Sequence, residues 1–276
     1  MSIEMICSDI DGTLLDKHRA ISPETVKAVQ AIRDRIPFLL VSSRMPSSME
    51  LLQDDLGTGR LPMVCYNGGL VLQYDAQGRP EVLHSEGIAD QVSSAIARAC
   101  SQEDLHVSLY HNNEWFVPGM DAWALREENN TRVSPLIEDP IKVTQSWKAA
   151  GKDAHKVMIM GEEEKVDRVY SFLEAQFAGD IHLYRSRPTY IEIASKRISK
   201  ASGIEKIMAK TGPANLSGVM SFGDNYNDID MLEQSGLGIA VENAKAEVLA
   251  IADEITLSNK MHGVAVALHK HFGLSD

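Results

Sequence analysis

Short apolar runs alternate with stretches of helical period along this chain, and no other feature restricts its fold as much. "IEMICSD" near the start, "FLLVSS" (38–43), "PMVCYNGG" (62–69), "GVMSFGD" and "GLGIAV" each read as a buried strand. Between them lie segments such as "SPETVKAVQAIRD". There Ser22 is placed to cap a helix, Pro23 takes its first position, and Val26, Val29 and Ile32 or Arg33 trace the buried stripe. Strand and helix in alternation favour βαβ units and a largely parallel sheet, so the expected class is α/β.

The pattern breaks once. After a hairpin turning at Gln77-Gly78, residues 84–187 start afresh. A helix (88–102) leads to "LHVSLYHNNEWFV", two strands turning at His111-Asn112-Asn113. A helix, "HKVMIMG", the helix "EEEKVDRVYSFLEAQF" and "IHLYRS" follow. The first pattern resumes with "YIEIA" (190–194), a helix from about Ser199, and ends with "EITL" and a last helix. The expectation is a discontinuous core, 1–83 and 188–276, interrupted by a second α/β domain at 84–187. No internal repeat is visible.

The first strand ends in "SDIDGT", where Asp9 and Asp11 stand two positions apart before an immediate Gly-Thr turn. If the strand continues through them, both carboxylates point the same way. Two such charges ~5 Å apart repel by roughly 3 kcal/mol at an effective dielectric of about 20. Either a cation or a shared proton must offset that cost. Three further stretches should reach the same edge of the sheet. "VSSR" brings Ser42 and Ser43, "ISKASG" brings Lys200 at a helix start, and "FGDNYNDIDML" brings Asp224, Asn227 and Asp228. Reactive groups of open parallel sheets gather outside the carboxyl ends of the strands. Hard carboxylate oxygens without histidine or cysteine suit Mg²⁺ rather than zinc.

Composition narrows the partners. A net charge of −12 over 276 residues disfavours a nucleic-acid surface, because neutralising phosphates takes clustered Lys and Arg. One local cation can still bind a phosphorylated small molecule. No apolar run approaches the ~20 residues of a membrane span, and the N-terminus lacks the basic head and apolar stretch of a signal peptide. Three cysteines, Cys7, Cys65 and Cys100, do not make a disulfide framework, which points to a reducing cytoplasm.

"DIDGTL", the hydroxyl at Ser42, Lys200 and "GDNYNDIDMLEQSGLGIAVENA" together resemble the haloacid dehalogenase superfamily. The branch is the Cof-type phosphatases with a large α/β cap (type IIB) and sugar-phosphate substrates. The resemblance spans nearly the whole chain. It implies a Rossmann-like three-layer core of parallel sheet with an inserted cap that governs substrate access and specificity. It also implies a Mg²⁺-dependent phosphatase acting on a small phosphorylated metabolite through an aspartyl-phosphate. Asp9 would attack phosphorus, and Asp11 would protonate the leaving alcohol and then activate water. The metal would be held by the Asp9 carboxylate, the Asp11 carbonyl and Asp224, with Asp228 behind them. Ser42, the Ser43 backbone and Lys200 would bind the phosphoryl oxygens, with Asn227 close by. The pattern departs once: the family reads hydroxyl-Gly-Arg where this chain has Ser42-Ser43-Arg44, so a side chain at 43 narrows the approach to that N–H.

A phosphomutase or phosphotransferase would use the same aspartyl-phosphate. A signalling receiver domain also phosphorylates an aspartate, but on a middle strand and without an insertion of ~100 residues. A catalytically silent binding protein fits poorly with an intact set of acids and Lys200. Tyr66, Asn67 and Gly68 form a strand-end turn near the expected site. Arg185 and Arg187 are candidates to touch substrate. Trp115, Trp123 and Trp147 read as packing residues. The nine histidines show no ligand spacing, and His262 and His269 read as exposed residues of the last helix.

Overall fold

A computed structural model describes residues 3–210 and 215–274. The chain forms two compact units. The first comprises Met1–Arg44, Met49–His84 and Ser199–Asp276, and the second comprises Met45–Ser48 and Ser85–Ile198.

The first stretch contains β1 (Met5–Ser8), α1 (Pro23–Ile32), β2 (Phe38–Leu40), α2 (Pro46–Leu56), β3 (Met63–Cys65), β4 (Leu70–Tyr74) and β5 (Pro80–Ser85). Helix α1 begins as its sequence requires: the Ser22 hydroxyl accepts from Thr25 N at 3.2 Å and Pro23 follows it. The hairpin between β4 and β5 turns on Asp75, whose Oδ1 accepts from Gln77 N and Arg79 N, with Gly78 at φ +75°. Strand β3 leaves the parallel ladder. It touches the main sheet through a single bridge between Val41 and Val64 and pairs antiparallel with β4.

The middle of the chain contains α3 (Asp90–Gln102), β6 (His106–His111), β7 (Glu114–Val117), α4 (Ala122–Thr131), β8 (Leu136–Ile137) and α5 (Pro140–Ala149). After these come β9 (Lys156–Met160), α6 (Glu163–Phe177), β10 (Ile181–Arg187) and β11 (Tyr190–Ser195). Its six strands run in the order β10-β11-β9-β6-β7-β8. One face, with Val107, Leu109, Val157, Ile159, Ile191 and Ile193, packs on apolar side chains of α3, α5 and α6. Strand β11 is the "YIEIA" segment, and it lies here rather than in the core. It pairs antiparallel with β10 on one side and β9 on the other, so the structural break falls after Ile198 instead of 187. Its Ile191 and Ile193 fill the same apolar layer. Trp115 and Trp147 are buried and Trp123 half-buried.

The final stretch adds α7 (Lys200–Met208), β12 (Val219–Gly223), α8 (Ile229–Gln234), β13 (Leu237–Val241), α9 (Ala246–Ile251), β14 (Glu254–Thr256) and α10 (Gly263–Phe272). The main sheet is wholly parallel in the order β14-β13-β12-β1-β2. Met5, Cys7, Leu39 and Val219 face α7. The alternate residues Ile6, Phe38, Leu40, Met220 and Phe222 line the opposite face, all at most 1% exposed. The first unit is thus a layered α/β core. His262 precedes α10 in a left-handed conformation (φ +57°) and is half-buried, as is His269, so neither is an exposed residue within the helix as expected.

Among the described residues no helix is long and apolar enough to cross a membrane. Cys7, Cys65 and Cys100 are buried free thiols.

Candidate active site

The parallel register sets β1 beside β12, with Ser8 opposite Phe222. Their carboxyl ends therefore deliver Asp9 and Asp224 to one edge of the sheet. Strand β1 stops at Ser8, so Asp9 and Asp11 lie in the turn beyond it and strand alternation does not govern them. Their carboxylates take different partners. Lys200 Nζ lies 2.5 Å from Asp9 Oδ1 and 2.6 Å from Asp228 Oδ1, and its side chain is wholly buried. Asp11 is gripped by Arg44 through Nε–Oδ2 at 2.7 Å and Nη2–Oδ1 at 2.9 Å, and Arg19 Nη2 adds a third bond at 2.7 Å. The repulsion expected between the two acids is thus met by a lysine for one and two arginines for the other, not by a shared proton.

The other acids are held by their own turn. Asp228 Oδ2 accepts from the backbone N–H of Asp224 (2.9 Å) and Asn225 (3.0 Å), so both its oxygens are engaged. Thr13 Oγ1 donates to Asp224 Oδ1 at 2.9 Å. Gly12 sits at φ +96°, and a Cβ there would lie 2.4 Å from Asp224 Oδ2. Only glycine combines that conformation with that approach. Lys200 opens α7 behind a Ser199 cap. Gly68, at φ +106°, lets the 66–68 turn press on the Ser199 carbonyl, where a Cβ would come within 2.3 Å.

That turn links the phosphate-ligand candidates. Asn67 N donates to the Ser42 carbonyl at 2.9 Å, and Asn227 Nδ2 donates to Asn67 Oδ1 at 3.0 Å. Ser42 is 2% exposed and its Oγ accepts from Arg44 N at 3.3 Å. Ser43 is half-buried, and its backbone N–H donates to no other described residue. The structure therefore places Asp9, Asp224, Asp228 and Lys200 in one cluster. Ser42, Arg44, Asn67 and Asn227 form a hydrogen-bonded arc tied to Asp11 through Arg44. In the second unit, Arg185 is engaged by Asp167 at 2.6 Å and by the Pro188 carbonyl at 2.7 Å, while Arg187 is exposed. Sequence reasoning assigned no role to Arg19 or Arg44, and nothing local marks either as an Asp11 partner.

Electrostatics show what the cluster lacks. Burial pushes Asp9 well above the usual carboxylate range; Lys200 opposes this, and Asp228 and Asp224 add to it. Burial, then Asp228, lifts Asp224 to about 6, against the Thr13 hydrogen bond. Burial disfavours a charged Lys200, but Asp228 and Asp9 outweigh it and its pKa is raised. Asp9, Asp224 and Asp228 each bring an oxygen within 4.8 Å of the others. With all three carboxylates ionised, the one ammonium among them leaves two negative charges in excess. All-oxygen, all-carboxylate donors with that charge fit a hard divalent cation such as Mg²⁺. Asp9 and Asp224 would hold it, since the Asp228 oxygens already serve Lys200 and the 224–225 amides.

The family model of haloacid dehalogenase-like hydrolases matches residues 6–268. A 5-amino-6-(5-phospho-D-ribitylamino)uracil phosphatase of Bacillus subtilis is 30% identical over 282 residues, covering 98% of each chain. A haloacid dehalogenase-like hydrolase of Bacteroides thetaiotaomicron superposes with a TM-score of 0.86 at 24% identity, over 98% of this chain and 99% of that one. A HAD subclass IIB sugar phosphatase superposes at 0.76, also 24% identical, over 98% and 99%. The match of the family model over residues 6–268 shows that the chain belongs to the haloacid dehalogenase-like hydrolase family.

Proposed function

We propose that this phosphatase is Mg²⁺-dependent and hydrolyses a small phosphorylated metabolite of the sugar-phosphate kind, passing the phosphoryl group transiently to Asp9. The observation that carries the reading is the buried Lys200 ammonium, shared between Asp9 and Asp228. Placed 2.5 Å from the attacking carboxylate, it can neutralise charge on the incoming phosphoryl oxygens. The class of substrate is supported by a B. subtilis relative that acts on a phosphorylated ribityl compound and by the fold shared with a sugar phosphatase.

In this reading Asp9 displaces the alcohol from phosphorus, its oxygen forming a bond as the ester oxygen leaves. The leaving oxygen takes its proton from Asp11. Water then attacks the phosphoryl group, giving a proton back to Asp11 and freeing Asp9. Two arginines grip the Asp11 side chain, so its acid role requires it to leave their grip when substrate arrives. The Ser42 hydroxyl and the Ser43 N–H receive phosphoryl oxygens, with Asn227 beside them. When bound, the cation would neutralise the acids and polarise the phosphoryl group. Asp228 keeps Lys200 and the Asp224 turn in place. The second unit selects the substrate and restricts access to it.

A phosphate-release screen over a panel of phosphorylated metabolites, with Asp9→Asn as control, tests the proposal. Release by the parent and none by the variant is expected. Activity retained by a clean Asp9→Asn preparation would remove Asp9 as nucleophile. Transfer to a sugar acceptor instead of water would favour the mutase reading.

A further inference from the structure

After β3 the backbone of the first unit runs left-handed for three residues. Tyr66, Asn67 and Gly68 have φ of +53°, +56° and +106°. Glycine adopts that region freely and asparagine tolerates it, whereas for a bulky residue such as tyrosine it is strained. Such strain persists only where the surroundings hold it, and it clusters at functional sites.

The turn reaches all three segments that carry the proposed phosphate ligands. Its backbone clamps residues 42–44: Ser42 N donates to the Val64 carbonyl at 2.9 Å, Asn67 N to the Ser42 carbonyl at 2.9 Å, and Tyr66 N to the Arg44 carbonyl at 3.3 Å. These bonds fix both neighbours of Ser43, and none of them engages the Ser43 N–H. Gly68 rests against the Ser199 carbonyl, one residue before Lys200. The Asn67 side chain serves the third segment: its Oδ1 accepts from Asn227 Nδ2 at 3.0 Å. Asn67 is 4% exposed, whereas Asn227 is half-buried.

We propose that Asn67 is a positioning residue for phosphoryl transfer: its carboxamide oxygen fixes the Asn227 amide so that the second Nδ2–H of Asn227 meets a phosphoryl oxygen. A primary amide carries two donors in one plane. With one of them on Asn67, the direction of the other is set before substrate arrives, and a donor aimed in advance needs no reorganisation as charge builds on the phosphoryl group. Asparagine suits the position twice, since it tolerates the left-handed backbone and supplies the acceptor. Asn67 itself stays beneath the site and acts through Asn227. This role rests on the phosphatase reading above, which makes Asn227 a phosphate ligand.

Asn67→Gly removes the carboxamide, keeps the N–H that bonds the Ser42 carbonyl, and accepts a φ of +56° without strain. It is compared with Asn227→Ala and with the double variant, all as full-length protein with Mg²⁺. Calorimetric titration with orthovanadate reads oxyanion binding, and hydrolysis of p-nitrophenyl phosphate reads turnover. Asn67→Gly should bind orthovanadate about tenfold more weakly and lose about tenfold in kcat/KM, the worth of one hydrogen bond, with kcat carrying most of the loss. The double variant should be no worse than Asn227→Ala alone, because both changes remove the same contact. Unchanged affinity and rate in Asn67→Gly, whatever its melting temperature, would overturn the proposal. So would losses that multiply in the double variant, since Asn67 would then act apart from Asn227. A parent that binds orthovanadate with this coupling but releases no phosphate would defeat the phosphatase reading and leave the positioning role standing. A parent that releases phosphate while the variants show no coupling would do the reverse.

Discussion

The Arg44 guanidinium holds the Asp11 carboxylate with two parallel hydrogen bonds, 2.7 and 2.9 Å, from a side chain only 7% exposed. Arg19 reaches the same carboxylate from a side chain 46% exposed. Geometry and burial rank the two contacts. Arg19→Ala should cost under ~1 kcal/mol, as exposed ion pairs do. Arg44→Ala should cost about 2–3 kcal/mol, because it removes a forked, partly desolvated pair and leaves a gap. Urea midpoints of the two variants check the ranking; equal losses would contradict it.

Asp11→Asn removes the group proposed to move the proton. Turnover of alkyl phosphates should fall by about 10²–10⁴. The first displacement of p-nitrophenolate, which leaves without protonation, should be much less affected. Burst kinetics with the two kinds of ester separate the steps, and equal loss in the bursts would remove Asp11 as the acid.

Lys200 is the only cation paired with Asp9 and Asp228 among the described residues. Lys200→Met should therefore destabilise the protein by about 3–5 kcal/mol in metal-free buffer, the cost of leaving buried charges uncompensated. Denaturant unfolding with chelator present reads this, and a loss below 1 kcal/mol would show the acids to be compensated elsewhere.

Mg²⁺ should raise the melting temperature in a concentration-dependent way, since the native cluster binds it and the unfolded chain does not. Asp224→Asn should shrink that rise. Gly12→Ala, which drives a Cβ to 2.4 Å from Asp224 Oδ2 and strains a φ of +96°, should shrink it too and cost about 1–3 kcal/mol. A Mg²⁺ response identical in all three proteins would place the ion elsewhere.

Much of this architecture was legible in the chain. Local signals marked the capped start of α1 at Ser22, the hairpin turn at Gln77-Gly78 and the strand ends carrying Asp9 and Asp224, because caps, turns and buried strands depend on neighbouring residues. Long-range pairing left no such trace. "YIEIA" has the alternation of any half-buried strand, and only its antiparallel partners β9 and β10 assign it to the second unit. Arg44 meets Asp11 across 33 positions, and Asn227 meets Asn67 across 160. No local pattern encodes either contact.

The central claim is a covalent phosphoryl group on Asp9. Asp11→Asn protein mixed with p-nitrophenyl phosphate, whose leaving group needs no proton, quenched in acid within milliseconds and digested, should yield a phosphorylated peptide whose fragment masses place the adduct on Asp9. Phosphate release with no adduct at any quench time, or an adduct on another residue, would contradict it.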